Sequence, residues 1–100
     1  MYLTYTIPHA ELLVPEDSLN EYKGRFHETP YVNTGRGGMG GYASQDTPKA
    51  AFAGMVSRMD RDIGKLLKAL KELGIDDNTV MIFSSDNGPH LEGGADPEFF

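Results

Sequence analysis

Two apolar runs of this chain each end in side chains able to do chemistry. Thr79-Val-Met-Ile-Phe-Ser-Ser-Asp-Asn-Gly-Pro-His90 leads an apolar stretch straight into a carboxylate, an amide and a glycine. Asp86 and Asn87 offer hard oxygen donors of the kind a divalent cation takes, and Gly88 lets the backbone turn tightly behind them. Tyr2-Leu-Thr-Tyr-Thr-Ile7 ends in Pro8-His9. An imidazole there can donate to an anionic oxygen, exchange a proton or bind a metal. Ligands of open parallel sheets bind outside the carboxyl ends of the strands. Two parallel strands would therefore deliver His9 and the Asp86-Asn87 pair to one crevice. The plainer alternative makes Asp-Asn-Gly a strand-ending turn and His9 a surface residue.

The elements that must position these groups are legible as patterns. Tyr2 to Ile7 mixes aromatic, β-branched and aliphatic residues, which predicts a strand over 2–7. Residues 8–47 read as a long irregular connection, with a short helical turn near Ser18 to Lys23 and a glycine-rich segment, Gly35-Arg-Gly-Gly-Met-Gly-Gly41. That segment lacks the lysine and serine spacing of a phosphate-binding loop. Thr47 and Pro48 suit the cap and first position of a helix over 48–73, and Gly74 suits its end. Phe52, Val56, Met59, Ile63, Leu66, Leu67 and Leu70 recur at spacings of three and four, giving one apolar face. Arg58, Arg61, Lys65, Lys68 and Lys71 read as the solvated opposite face. Ile75 to Thr79 reads as a turn, and the run over 79–84 as a strand buried on both faces of a parallel sheet. A loop over 85–94 then carries the polar groups. The fold class expected is α/β, a right-handed βαβ unit of a parallel-sheet domain. The helix face should cover the sheet, with Val80 and Ile82 against it.

Composition narrows the function classes. The 100 residues are 39% hydrophobic and 24% charged, ordinary for a globular chain, with a net charge of −6. No basic cluster is present, so nucleic acid is not expected as a partner. Neither an apolar membrane-spanning run nor a membrane partner is expected. The chain has no cysteine, which rules out disulfides, thiolate metal sites and a cysteine nucleophile within it.

The run from Ala50 to Gly88 (helix, Glu72-Leu-Gly-Ile-Asp, strand, Ser85-Asp-Asn-Gly) closely resembles the sulfatase family of the alkaline phosphatase superfamily. Tyr2-Leu-Thr-Tyr-Thr-Ile-Pro-His9 is similar to the family's preceding strand with its histidine. Pro89-His-Leu-Glu-Gly-Gly94 resembles the segment after Asp-Asn-Gly in many bacterial arylsulfatases. The resemblance covers nearly the whole chain apart from the middle loop. It implies a Ca²⁺-dependent hydrolase of sulfate esters that uses a formylglycine nucleophile. Asp86 and Asn87 match two of the metal ligands. His9 matches a catalytic histidine that contacts the sulfate group, and His90 is implied in substrate binding.

The family's N-terminal metal-binding Asp pair, its Cys-x-Pro-Ser-Arg nucleophile motif and its downstream lysine have no counterpart here. The expectation is therefore an internal fragment of an alkaline-phosphatase-like catalytic domain, inactive alone. A periplasmic, extracellular or lysosomal setting is what the resemblance suggests. Two other readings stay open: a fragment of a related metal-dependent phosphomonoester or phosphonate hydrolase, and a noncatalytic βαβ interaction module. Two strands and one helix would leave sheet edges uncovered, so self-association is also expected.

Overall fold

Helices alone make up the regular structure of the computed structural model, which describes residues 1–35, 41–89 and 91–99. A short helix, α1 (Glu16–Asn20), packs against a long one, α2 (Pro48–Glu72). Three-residue 3₁₀ turns come after it at Asp76–Asn78 and Glu92–Gly94. Among the described residues no helix is long and apolar enough to cross a membrane.

The ends of α2 account for their backbone groups. Pro48 opens the helix and has no N–H to satisfy. The N–H groups of Lys49 and Ala50 donate to the two carboxylate oxygens of Glu28, each at 2.9 Å. The Ala51 N–H donates to the Thr47 carbonyl at 2.9 Å. Thr47 makes no side-chain cap bond. Glu28, distant in sequence, caps the helix instead and places negative charge at the positive end of the helix dipole. At the other end Gly74 N–H donates to Lys71 O at 3.0 Å and Ile75 N–H to Leu70 O at 3.1 Å. This is the paired bonding of a Schellman ending.

The core lies on the first half of α2 only. Ala50, Ala51 and Met55 are at most 1% exposed, and Leu12 joins Ala51 and Met55 in the central cluster. Ile7, Val14, Leu19 and Phe52 pack around it. α1 sits on α2 at Gly54, where an added Cβ would lie 2.9 Å from the Ser18 carbonyl oxygen. Only a residue without a side chain allows that approach. Polar contacts then fasten the pair. Arg58 donates to the fully buried Ser18 hydroxyl at 2.9 Å and lies 3.3 Å from Asp17. Arg61 donates to both oxygens of Glu21 at 2.8 and 2.9 Å, and the hydroxyls of Tyr22 and Ser57 share a hydrogen bond. The Asp17 carboxyl is held below its ordinary pKa, chiefly by the Ser18 backbone N–H and then by Arg58. Arg58 and Arg61 therefore face α1, not a purely solvated surface.

The expected βαβ unit is not formed. Among the described residues there is no strand, only an isolated antiparallel bridge between Tyr31 and Gln45. The apolar residues of both expected strands are largely bare: Tyr2 is 90% exposed, Val80 87%, Ile82 86% and Phe83 70%. The physical reason is that a strand's hydrogen bonds must come from a neighbour, whereas a helix supplies its own. Two strands alone would in any case be marginal. Without a sheet the apolar stripe of α2 beyond Phe52 has little to cover. Val56, Met59, Ile63, Leu66 and Leu70 are only partly buried, and Leu67 is exposed. The Cα radius of gyration is 16.2 Å, against about 13 Å for a compact domain of this length.

Burial fixes where truncation should hurt. Met55→Ala should cost about 2–5 kcal/mol, as for a buried large side chain. Leu67→Ala should cost less than about 1 kcal/mol despite its place in the stripe. Urea denaturation of the two variants measures both. Equal losses would mean that the second half of α2 is packed.

Candidate functional site

His9 lies on a short segment laced to a distant one. Ala10 beside it is buried. The Glu11 carboxylate accepts the Ala43 N–H at 3.0 Å, and the Leu12 carbonyl accepts Gln45 Nε2 at 2.7 Å. Gln45 is also the residue bridged to Tyr31, by bonds of 2.8 and 2.9 Å. These contacts set residues 9–12 alongside 42–45. The exposed His9 imidazole meets the Tyr42 ring edge-to-face, with centroids 5.9 Å apart and planes at 70°. Its Nδ1 accepts the Glu11 backbone N–H at 3.4 Å.

A third segment closes on the same place. The Tyr42 hydroxyl donates to Glu92 Oε2 at 2.8 Å. That bond to a carboxylate, with some desolvation, raises the Tyr42 pKa above its ordinary value. Gly93 comes next at φ 65°, and an added Cβ would come within 2.1 Å of the Ala10 carbonyl oxygen. The 3₁₀ turn at Glu92–Gly94 is thus pressed onto the His9 segment. Lys49 Nζ, on the first turn of α2, pairs with Asp96 Oδ2 at 3.0 Å, and this bond lowers the Asp96 pKa.

Asp86 and Asn87 stand in an exposed bend where the Ser85 hydroxyl donates to the Asn87 carbonyl at 2.7 Å. The remaining candidate, His90, lies outside the described residues. The structure joins the His9 segment to the turn just beyond the Asp86–Asn87 bend. It does not gather their side chains into a metal centre: no three His, Asp or Glu side chains converge among the described residues. By donor chemistry a carboxylate and an amide oxygen fit Ca²⁺ well. By number they supply two of the roughly six to eight oxygens it takes.

Comparison with known proteins decides the family. The Sulfatase family model matches residues 1–98. The chain belongs to the sulfatase family. It is 27% identical to the arylsulfatase of Klebsiella aerogenes over an alignment that covers 99% of this chain and 28% of that enzyme. An uncharacterized sulfatase of Schizosaccharomyces pombe is 32% identical over 87% of the chain and 21% of its own length. The endo-4-O-sulfatase of Bacteroides thetaiotaomicron is 58% identical over a stretch covering 33% of the chain and 6% of that protein. The chain thus spans about a quarter of the first two sulfatases. Of the two hydrolase readings open to the sequence, the match is to the sulfatase one.

Tyr42, Glu92 and Glu28 escape a reading by pattern. Each acts through a partner 21 to 50 positions away, and none sits in a periodic run. The one local sign is Gly93-Gly94 directly after Glu92, a glycine pair where no long helix ends.

The Tyr42 bond has a pH signature. A tyrosine whose folded pKa is raised contributes stability that is complete below the unfolded value near 10 and is lost as pH rises through the folded value. The alkaline absorbance difference between the wild-type chain and Tyr42→Phe should isolate a Tyr42 component that ionises above the ordinary tyrosine value. Glu92→Gln should bring that component to lower pH. A Tyr42 component at the ordinary value, unmoved by Glu92→Gln, would contradict the bond.

Proposed function

We propose that this chain is the segment of a sulfatase that carries one side of a Ca²⁺ site and a histidine directed at the sulfate group. The observation that carries the reading is the family match over residues 1–98, which includes His9, Asp86 and Asn87. Asp86 and Asn87 would hold the cation through their side-chain oxygens. When bound, Ca²⁺ supplies polarisation of the sulfuryl oxygens and stabilises charge developing there. His9 would donate a hydrogen bond to a sulfate-ester oxygen. Its Nδ1 accepts the Glu11 N–H, so a neutral imidazole carries its proton on Nε2, the donor such a contact needs. His90 is proposed as a second contact to the substrate. Two cation ligands and no cysteine leave the isolated chain without a complete site or a formylglycine precursor of that kind. It should neither hold Ca²⁺ tightly nor turn over a sulfate ester.

The test is made in the full reading frame that contains this segment, with an aryl sulfate as substrate. Asp86→Ala should lower turnover by about 100-fold or more, because a fixed charge is lost where the reaction develops its own. His9→Ala should lower turnover on the order of 100-fold while leaving bound Ca²⁺ unchanged. The isolated 100 residues should give no hydrolysis above background. Near-normal activity of the Asp86 variant would sink the reading.

The same reading gives the bare apolar runs a purpose, since a larger catalytic domain would cover them. Freed from it, residues 2–7 and 80–84 present apolar, strand-prone surface. The isolated chain should therefore self-associate. Sedimentation velocity at tens of micromolar should show dimers or larger species, and a single monomer peak would count against association.

A further inference from the structure

The contacts around His9 form a built device, and the reading of His9 as a sulfate donor leaves it unused. We propose that Tyr42, anchored by Glu92, is a positioning residue that fixes the His9 imidazole for donation from Nε2. The proposal rests on the reading of His9 as a donor to the sulfate group.

Four observations converge on it. The Tyr42 ring meets His9 edge-to-face at 5.9 Å and 70°, a geometry aromatic pairs prefer. Glu11 N–H engages Nδ1, so the ring is addressed at one nitrogen by the backbone and on its flank by Tyr42. The Tyr42 ring is itself held at its far end, where its hydroxyl donates to Glu92 at 2.8 Å. Finally, the backbone on both sides is pinned. Ala43 N–H is bonded to Glu11, Gln45 to the Leu12 carbonyl, and Gly93 closes on the Ala10 carbonyl without room for a Cβ.

An exposed imidazole would otherwise rotate about two side-chain bonds and share its proton between two nitrogens. Holding the ring and its tautomer in advance spares the loss of that freedom when substrate arrives. Glu92 lies five residues beyond Asn87, so the device also ties the orientation of His9 to the chain that carries the proposed cation ligands. A mutation at Glu92 would act on His9 through Tyr42 without touching substrate.

The test is NMR of the 100-residue chain labelled at histidine. In the wild-type chain the His9 ring protons should show cross-relaxation to the Tyr42 ring, and its ¹⁵N shifts should be those of the Nε2–H tautomer. Tyr42→Leu should abolish the cross-relaxation and move the ring-proton shifts toward unstructured values. The amide dispersion of α2 should meanwhile be kept. Tyr42→Phe should retain the ring contact with reduced intensity, and Glu92→Gln should reduce it likewise. Absence of a His9–Tyr42 contact in the wild type, or His9 spectra unchanged by Tyr42→Leu, would overturn the proposal. Turnover of an aryl sulfate in the full reading frame separates this inference from the reading beneath it. Turnover unchanged by His9→Ala would overturn the sulfate role. A His9-dependent turnover that Tyr42→Leu leaves undiminished would overturn the positioning role.

Discussion

The close approach of residues 10–20 to the first half of α2 is the contact on which the rest of the molecule hangs. It is made by what α2 lacks. Ala50, Ala51, Ala53 and Gly54 present almost bare backbone, so Leu12 and the Ser18 carbonyl can come down onto the helix itself. Met55 is the large side chain buried in that seam. Close packing of this sort gains dispersion contacts without ordering long side chains. The ion pairs of Arg58 and Arg61 with α1 add orientation more than energy, since they are partly solvated. Once α1 and its leading segment are seated, the position of His9 is set, because only Ala10 and Glu11 separate it from Leu12.

The start of α2 is the second fixed point, and it ties the N-terminal loops to the C-terminal ones. Glu28 caps the helix with both carboxylate oxygens, and Lys49, on the same turn, reaches Asp96. Residues far apart along the chain thus meet around one helix terminus. A network of this kind can hold irregular backbone in place where no ladder exists, because the otherwise unpaired donors find acceptors. The Tyr42–Glu92 bond and the Gly93–Ala10 approach extend it to the neighbourhood of His9.

The pattern of small and large residues explains how much was legible beforehand. The limits of α2 could be read because proline, glycine and a periodic run are local signals. The family could be read because Ser85-Asp-Asn-Gly and Pro8-His9 are specific strings. The sheet could not. Residues 2–7 and 80–84 carry the residue preferences of strands, but propensity is satisfied only by a neighbour to bond with, and the described chain provides none. The core was misplaced for a related reason. Periodicity marks the face a helix could bury, whereas the face it does bury depends on what is present to pack there. The large residues from Met59 to Leu70 form the more regular stripe, yet the alanines and Gly54 hold the seam. The acidic and aromatic partners around His9 were illegible because their sequence separations carry no period.

The alanine and glycine seam also reverses the usual expectation about which positions can drift. On most helices the large apolar residues are constrained and the small ones are interchangeable. Along α2 a conservative enlargement at 50, 51, 53 or 54 would wedge the leading segment off the helix, while sizeable changes between Leu66 and Leu73 would meet mostly solvent. Variation tolerated by this chain standing alone should therefore be concentrated in the second half of α2. Any restriction found there would report surroundings that the 100 residues do not themselves provide.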